Sequence, residues 1–132
     1  MNLISDTNIF LAVALNEPEK DGIIRATAGC DVISPEILLY EVGNALTAMV
    51  KRKRLNKEEA VSAFEAARSI PVKLVPVDIQ KALKIAFQYN LYAYDAYFLQ
   101  CAKKFSYPLI TLDKRMRQVA HDLKIELVEL KK

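Results

Sequence analysis

The sequence predicts an α/β protein, a three-layer α/β/α sandwich around a short central parallel sheet. Three observations predict it. Short apolar or β-branched runs, "NLIS", "DVISP", "VKLVPV", "PLITL" and "IELVEL", alternate with longer segments of helical periodicity. Strands separated by helices build βαβ units, which place a parallel sheet under helices on both faces. With 3 Gly and 5 Pro in 132 residues, the chain is too poor in breakers to be loop-rich or of low complexity. Residues 1–132 have the size of one domain, with no internal repeat and no linker.

In order, "NLIS" is the first buried strand, followed by a helix from about Asn8 to Leu15. "NEPEKDGIIRATAG" reads as a second, amphipathic helix, and "DVISP" as a very short strand with a break. Ser34 then Pro35 is a helix-start signal, a capping hydroxyl before a proline at the first helical position. That helix runs through "EILLYEVGNALTAMVKRK". Asn56 can cap "KEEAVSAFEAARS", "VKLVPV" is a strand, and Asp78 caps "IQKALKIAFQYN", which Asn90 ends. "YDAYFLQCAKKF" is a helix, "PLITL" a strand, "KRMRQVAHDL" a helix and "IELVEL" a final strand.

Composition narrows the chemistry. A net charge of +3, from 19 basic and 16 acidic residues, permits nucleic-acid contact without demanding it. Cys30 and Cys101 form no CxxC and read as reduced, buried thiols of a cytoplasmic protein. The longest early apolar run, "IFLAVAL", is too short to span a bilayer, so no membrane role is expected. His121 is the single histidine and reads as a surface residue near a helix end. Ser-His and Cys-His nucleophiles and multi-His zinc sites are thereby largely excluded, leaving carboxylates, lysines or a hard metal.

Four acids stand in unusual places. In open α/β sheets, sites form beyond the carboxyl ends of the strands. Asp6 follows the first strand and Asp113 follows "PLITL". Each has a structural reading as a helix cap beside the functional one. Glu41 falls among Ile37, Leu38, Val42, Ala45, Leu46 and Met49, the apolar stripe of its helix. A charge against a core costs several kcal/mol unless paired or coordinated, so Glu41 is either in a salt bridge or in a site. Asp95 lies in a first helical turn with Phe98, Leu99 and Ala102 spaced to share its face, and a dipole-stabilising role is its alternative.

Together the four can converge. Bare carboxylates ~4 Å apart repel by about 4 kcal/mol per pair at an effective dielectric near 20. Such a cluster raises its pKa values or binds a cation, and all-oxygen donors select Mg²⁺ or Mn²⁺. Asn8 and Thr111 add oxygens near two of the acids, Asn8 also having a capping reading and Thr111 a plain strand reading.

The blocks "ISDTNIFL", "SPEILLYEVGNAL", "YDAYFLQCA" and "PLITLDKRM" resemble the PIN-domain family, specifically its VapC-type toxin ribonucleases, in order and spacing from first strand to last. The resemblance implies a PIN-like fold and an acidic site at Asp6, Glu41, Asp95 and Asp113, with Asn8 and Thr111 as accessory polar residues. It also implies a Mg²⁺- or Mn²⁺-dependent endoribonuclease acting on RNA, dimeric, and blocked by an antitoxin protein. No departure occurs at the four acids, whereas residues 16–29 match no motif. On this reading Asp6 and Asp95 bind the metal directly, Asp113 completes the site or orients a ligand water, and Glu41 binds a second metal or acts as general base. A non-catalytic binding module on the same fold is the alternative.

Lys114, Arg115 and Arg117 lie within about a helical turn of Asp113 and are expected to steer RNA to the negative pocket. "KRKR" at 51–54, and Lys103 with Lys104, read either as helix-end charge or as phosphate contacts. Tyr89, Tyr92, Tyr94 and Tyr97 are expected in the core or a dimer interface. A phospho-acceptor receiver domain is disfavoured, because the first strand ends in Asp-Thr-Asn without an adjacent acid pair.

Overall fold

The computed structural model describes residues 1–130. Its elements are β1 (Asn2–Ser5), α1 (Thr7–Ala14), α2 (Lys20–Thr27), β2 (Asp31–Pro35), α3 (Leu38–Lys51), α4 (Lys57–Arg68), β3 (Lys73–Val75), α5 (Ile79–Tyr89), α6 (Ala93–Phe105), β4 (Leu109–Ile110) and α7 (Lys114–Asp122). The four strands run parallel in the order β3-β2-β1-β4, with helices on both faces, which is the expected sandwich.

Alternation along β1 sorts the core. Leu3 joins Ile110, Ile9, Ala12 and Ile23 beneath α1 and α2. Its neighbour Ile4 joins Leu109, Phe98, Leu99, Met116 and Val119, so α6 and α7 close the other cluster. Register pairs Ser5 with Ile110, which sets the carboxyl ends of β1 and β4 side by side. The residues immediately after those two ends, Asp6 and Thr111, are thereby brought together.

Caps account for most helix starts. Asn56 accepts the Glu59 N–H at 2.7 Å and the Glu59 carboxylate accepts the Asn56 N–H at 3.0 Å, a complete capping box for α4. Asp78 accepts the Lys81 N–H, and Asn90 ends α5 in the left-handed region at φ 55°.

Four expectations change. Ser34 and Pro35 do not open α3: both lie in β2, and the Ser34 hydroxyl donates to the Ser5 carbonyl at 2.5 Å. A long-range partner has outcompeted the local cap, and α3 starts at Leu38 without a side-chain cap. The second helix is shorter than "NEPEKDGIIRATAG", spanning Lys20–Thr27. The closing "IELVEL" forms a single parallel bridge, Leu127 to Leu109, instead of a strand. Cys30 is half-buried, while Cys101 is buried and its thiol is pushed up to about 11 by that burial. Among the described residues, no helix is long and apolar enough to cross a membrane.

Candidate functional site

Asp6 occupies the junction of β1 and α1 and is only 3% exposed. It is the N-cap of α1, with Oδ1 accepting the Ile9 N–H at 3.2 Å. Its other oxygen, Oδ2, accepts the hydroxyl of Thr111, which arrives from the end of β4 and is itself buried. Burial pushes the Asp6 carboxyl up to about 7. The bonds from Thr111 and Ile9 oppose that rise, while the charges of Asp113 and Asp95 add to it.

Asp113 caps α7 in the same manner, Oδ1 accepting the Met116 N–H at 2.9 Å. Its own N–H donates to the Thr111 hydroxyl oxygen at 3.1 Å. Asp95 is half-buried in the first turn of α6, its pKa raised first by burial and then by Asp113. Glu41, in the first turn of α3, is raised first by burial and then by Asp95. Glu41 flanks the buried line of Leu38, Val42 and Leu46 and is half-buried itself, so it sits at the margin of the apolar stripe instead of against the core.

The four acids thus feel one another from four different elements. The salt-bridge alternative for Glu41 does not hold: among the described residues the ion pairs are Glu65–Arg68, Arg117–Glu129 and His121–Asp122, none of which includes a site acid. Convergence is electrostatic and stops short of ligation. Among the described residues no three Asp, Glu, His or Cys side chains stand close enough to enclose a metal ion. Charge and donor type nevertheless fit a hard divalent cation. Asp95, Glu41 and Oδ2 of Asp113 accept no hydrogen bond from the described residues.

The accessory residues divide. Thr111 is integral to the acid cluster. Asn8 is exposed in the first turn of α1, and the cap of that helix is Asp6 instead. The three cations after Asp113 divide as well. Lys114 is exposed and makes no hydrogen bond or ion pair with the described residues. Arg115 Nη2 donates to the Tyr89 carbonyl at 2.8 Å, closing the C-terminus of α5. Arg117 pairs with Glu129. The last two are thus engaged within the protein. Two further contributors escaped the sequence: Ser34, which ties β2 to the end of β1, and Glu129. Neither carries a local signal for that role, because each partner is distant in sequence.

The tyrosines split between roles. Tyr97 packs beside the α5–α6 contact and meets Tyr94 edge-on at 5.8 Å, and Tyr89 is partly buried against the core. Tyr92 is exposed, as is Tyr40, which precedes Glu41. His121 is exposed in the last turn of α7, as expected.

Known proteins share this architecture. Ribonuclease VapC3 of Pyrobaculum aerophilum is 24% identical over 123 residues, covering 89% of this chain and 94% of its own. The crystal structure of PAE2754 from Pyrobaculum aerophilum superposes with a TM-score of 0.69 at 21% identity, over 90% of this chain and 79% of that one. VapBC2 from Rickettsia felis, bound to a DNA fragment from the promoter, gives 0.67 at 15% identity, over 99% of this chain and 100% of that one. A toxin-antitoxin complex from Klebsiella pneumoniae gives 0.54 at 19% identity, over 84% and 86%. At these identities the solved structures share the fold. The PIN domain family model matches residues 3–122, nearly the whole described chain, and the protein belongs to the PIN domain family.

Proposed function

We propose that the protein is a Mg²⁺- or Mn²⁺-dependent endoribonuclease, the toxin of a toxin–antitoxin pair, cleaving RNA phosphodiester bonds at a four-carboxylate site. One observation carries the reading: burial, together with the neighbouring charges of Asp95 and Asp113, makes ionisation of Asp6, Glu41 and Asp95 costlier, and no basic side chain pairs with any of the four acids among the described residues. A structural ion-pair network would have supplied that cation from the protein. The relative named Ribonuclease VapC3 and the toxin-antitoxin complex among the solved structures support the same reading.

In this reading Asp6, Asp95 and Asp113 hold the metal, which when bound polarises a phosphate oxygen and activates water. The chain's own groups do the rest. Thr111 and the α1 N-terminus fix the orientation of Asp6. Glu41, with its pKa raised by burial, is suited to take a proton as general base. Lys114, exposed next to Asp113, attracts the RNA backbone.

The proposed partners are RNA, an antitoxin and a second copy of the chain. α5 supports the last of these, because it buries Ala82 and Ala86 while Ile79 and Phe87 face outward. The proposed RNA substrate and the unpaired cysteines support a cytoplasmic location.

The test incubates purified protein with a cellular RNA pool in Mg²⁺ or Mn²⁺, beside Asp95→Asn and an EDTA control. Cleavage that requires both metal and Asp95 is expected. Folded, partner-free protein that cleaves nothing would favour the non-catalytic binding module instead, and equal cleavage by the variant would remove Asp95 from the site.

A further inference from the structure

Resting on the metal-site reading, we propose that Arg117 is a positioning residue: with Glu129 it clamps the C-terminal segment onto the loop between β4 and α7, and so fixes the Thr111 hydroxyl that orients Asp6. Its place in the sequence suggested a role in steering RNA. Its geometry assigns the side chain elsewhere.

Arg117 Nη2 donates to both carboxylate oxygens of Glu129, at 3.1 and 3.2 Å. Nη1 of the same guanidinium reaches the Thr111 carbonyl at 3.5 Å. With 30% of its side chain exposed, Arg117 is the more buried member of the pair. Its backbone N–H also donates to the Asp113 carbonyl at 3.0 Å, one turn back along α7. The residue therefore touches both ends of the three-residue loop from Thr111 to Asp113.

The segment that leads to Glu129 is held by main chain. The Leu109 N–H donates to the Glu126 carbonyl at 2.8 Å, and the Val128 N–H donates to the Leu109 carbonyl at 2.9 Å. Ile125 is buried in the main core, while Val128 and Leu130 pack on the cluster around Leu3 and Ile110. The segment is thus docked along the free edge of β4, and Glu129 lies one residue past its last main-chain bond.

Thr111 converts this restraint into site geometry, because its single hydroxyl oxygen serves both Asp113 and Asp6. A shift of the loop would move that oxygen relative to both acids. A partly exposed ion pair contributes little to global stability, so the effect is read in the geometry of the site and not in the melting temperature.

The experiment compares wild type, Arg117→Glu, Glu129→Arg and the doubly swapped protein in two measurements. Calorimetry gives Mn²⁺ affinity. Two-dimensional NMR follows the amide peaks of Asp113 and Ile9, donors to Thr111 and Asp6 respectively. Each single reversal is expected to shift both peaks and weaken Mn²⁺ binding about tenfold, the lower end for groups that orient metal ligands. The double swap is expected to restore both. Arg117→Gln and Glu129→Gln take the place of any reversal that does not fold.

Amide peaks unmoved by the single changes would overturn the clamp, as would a double swap no better than the singles. So would loss of RNA binding in Arg117→Glu with both peaks in place, the signature of a phosphate contact. If wild type itself binds no Mn²⁺, the metal reading falls, and the amide peaks alone still decide the clamp.

Discussion

The Thr111 hydroxyl donates to Oδ2 of Asp6 across 105 residues of sequence, and its oxygen also accepts the Asp113 N–H. One threonine thus joins two of the four acids at the carboxyl ends of the neighbouring strands β1 and β4. Replacing it tests how far the site depends on that junction.

Thr111→Val keeps the shape and removes the donor. Oδ2 of Asp6 and the Asp113 N–H each lose a partner in a buried setting, at a cost of about 1–3 kcal/mol. Because the bond from Thr111 lowers the Asp6 pKa, its loss moves that pKa further above about 7. Urea unfolding in EDTA checks the first expectation, and a midpoint equal to wild type would contradict it. Carboxyl NMR titration checks the second.

Asp6 itself weakens the metal-free fold. Its carboxyl rises from an ordinary 3.8 to about 7 on folding, so the native protein keeps a proton that the unfolded chain releases. The stability from the neutral form is complete below 3.8 and is lost as pH rises through about 7. Three pKa units correspond to about 4 kcal/mol at most. Asp6→Asn keeps the shape without the charge. Above pH 7 in EDTA it is expected to unfold at higher urea than wild type, with the gap closing toward acid pH. Mg²⁺ should then stabilise wild type alone, since only the intact acid set gains from binding. A gap independent of pH would refute the assignment.

These relationships mark where the sequence stops being informative. Asn56, Asp78 and Asn90 were legible because each partner lies within one helical turn. The alternation of strands and helices was legible because burial on both faces leaves short apolar runs. Ser34 was misleading for the opposite reason: its hydroxyl bonds a carbonyl 29 residues away, and nothing around it records that. "IELVEL" looks like a strand, yet beside a two-residue β4 it pairs only through Leu109. For the site, the acids stood out as charges in apolar patterns. That Asp6 and Asp113 are at once caps and members of one cluster required the register of β1 against β4.

Lys114 is the cation next to Asp113 that the protein does not employ, since Arg115 closes α5 and Arg117 holds Glu129. Lys114→Ala is therefore expected to weaken RNA binding similarly across sequences and to reduce the slope of log affinity against log salt by about one. Arg115→Ala should change that slope less and instead lower stability, having lost a bond to a helix-terminal carbonyl. Filter binding at four salt concentrations separates the two, and equal slopes for Lys114→Ala and wild type would dismiss the contact.

Helices of globular proteins normally turn their large apolar residues inward, and α5 does so with Ile85 and Tyr89 but leaves Ile79 and Phe87 outside. Here Ala82 and Ala86 meet Ala96 of α6, while Ile79 is 55% and Phe87 80% exposed, with half-buried Leu83 spaced between them. Small residues let α5 and α6 approach closely, and Ile79 and Phe87 are left facing solvent. Water contact along such a stripe is unfavourable by roughly 25 cal/mol for each Å² of apolar surface, which a second copy would relieve by covering it. Phe87→Glu alters a side chain with little contact inside the protomer, so it should leave monomer folding intact. Sedimentation velocity is expected to give a dimer for wild type and a monomer for Phe87→Glu, each with native circular dichroism. A wild type that sediments as a monomer at every concentration would instead assign this face to a different protein, and the antitoxin would be the first candidate to titrate against it.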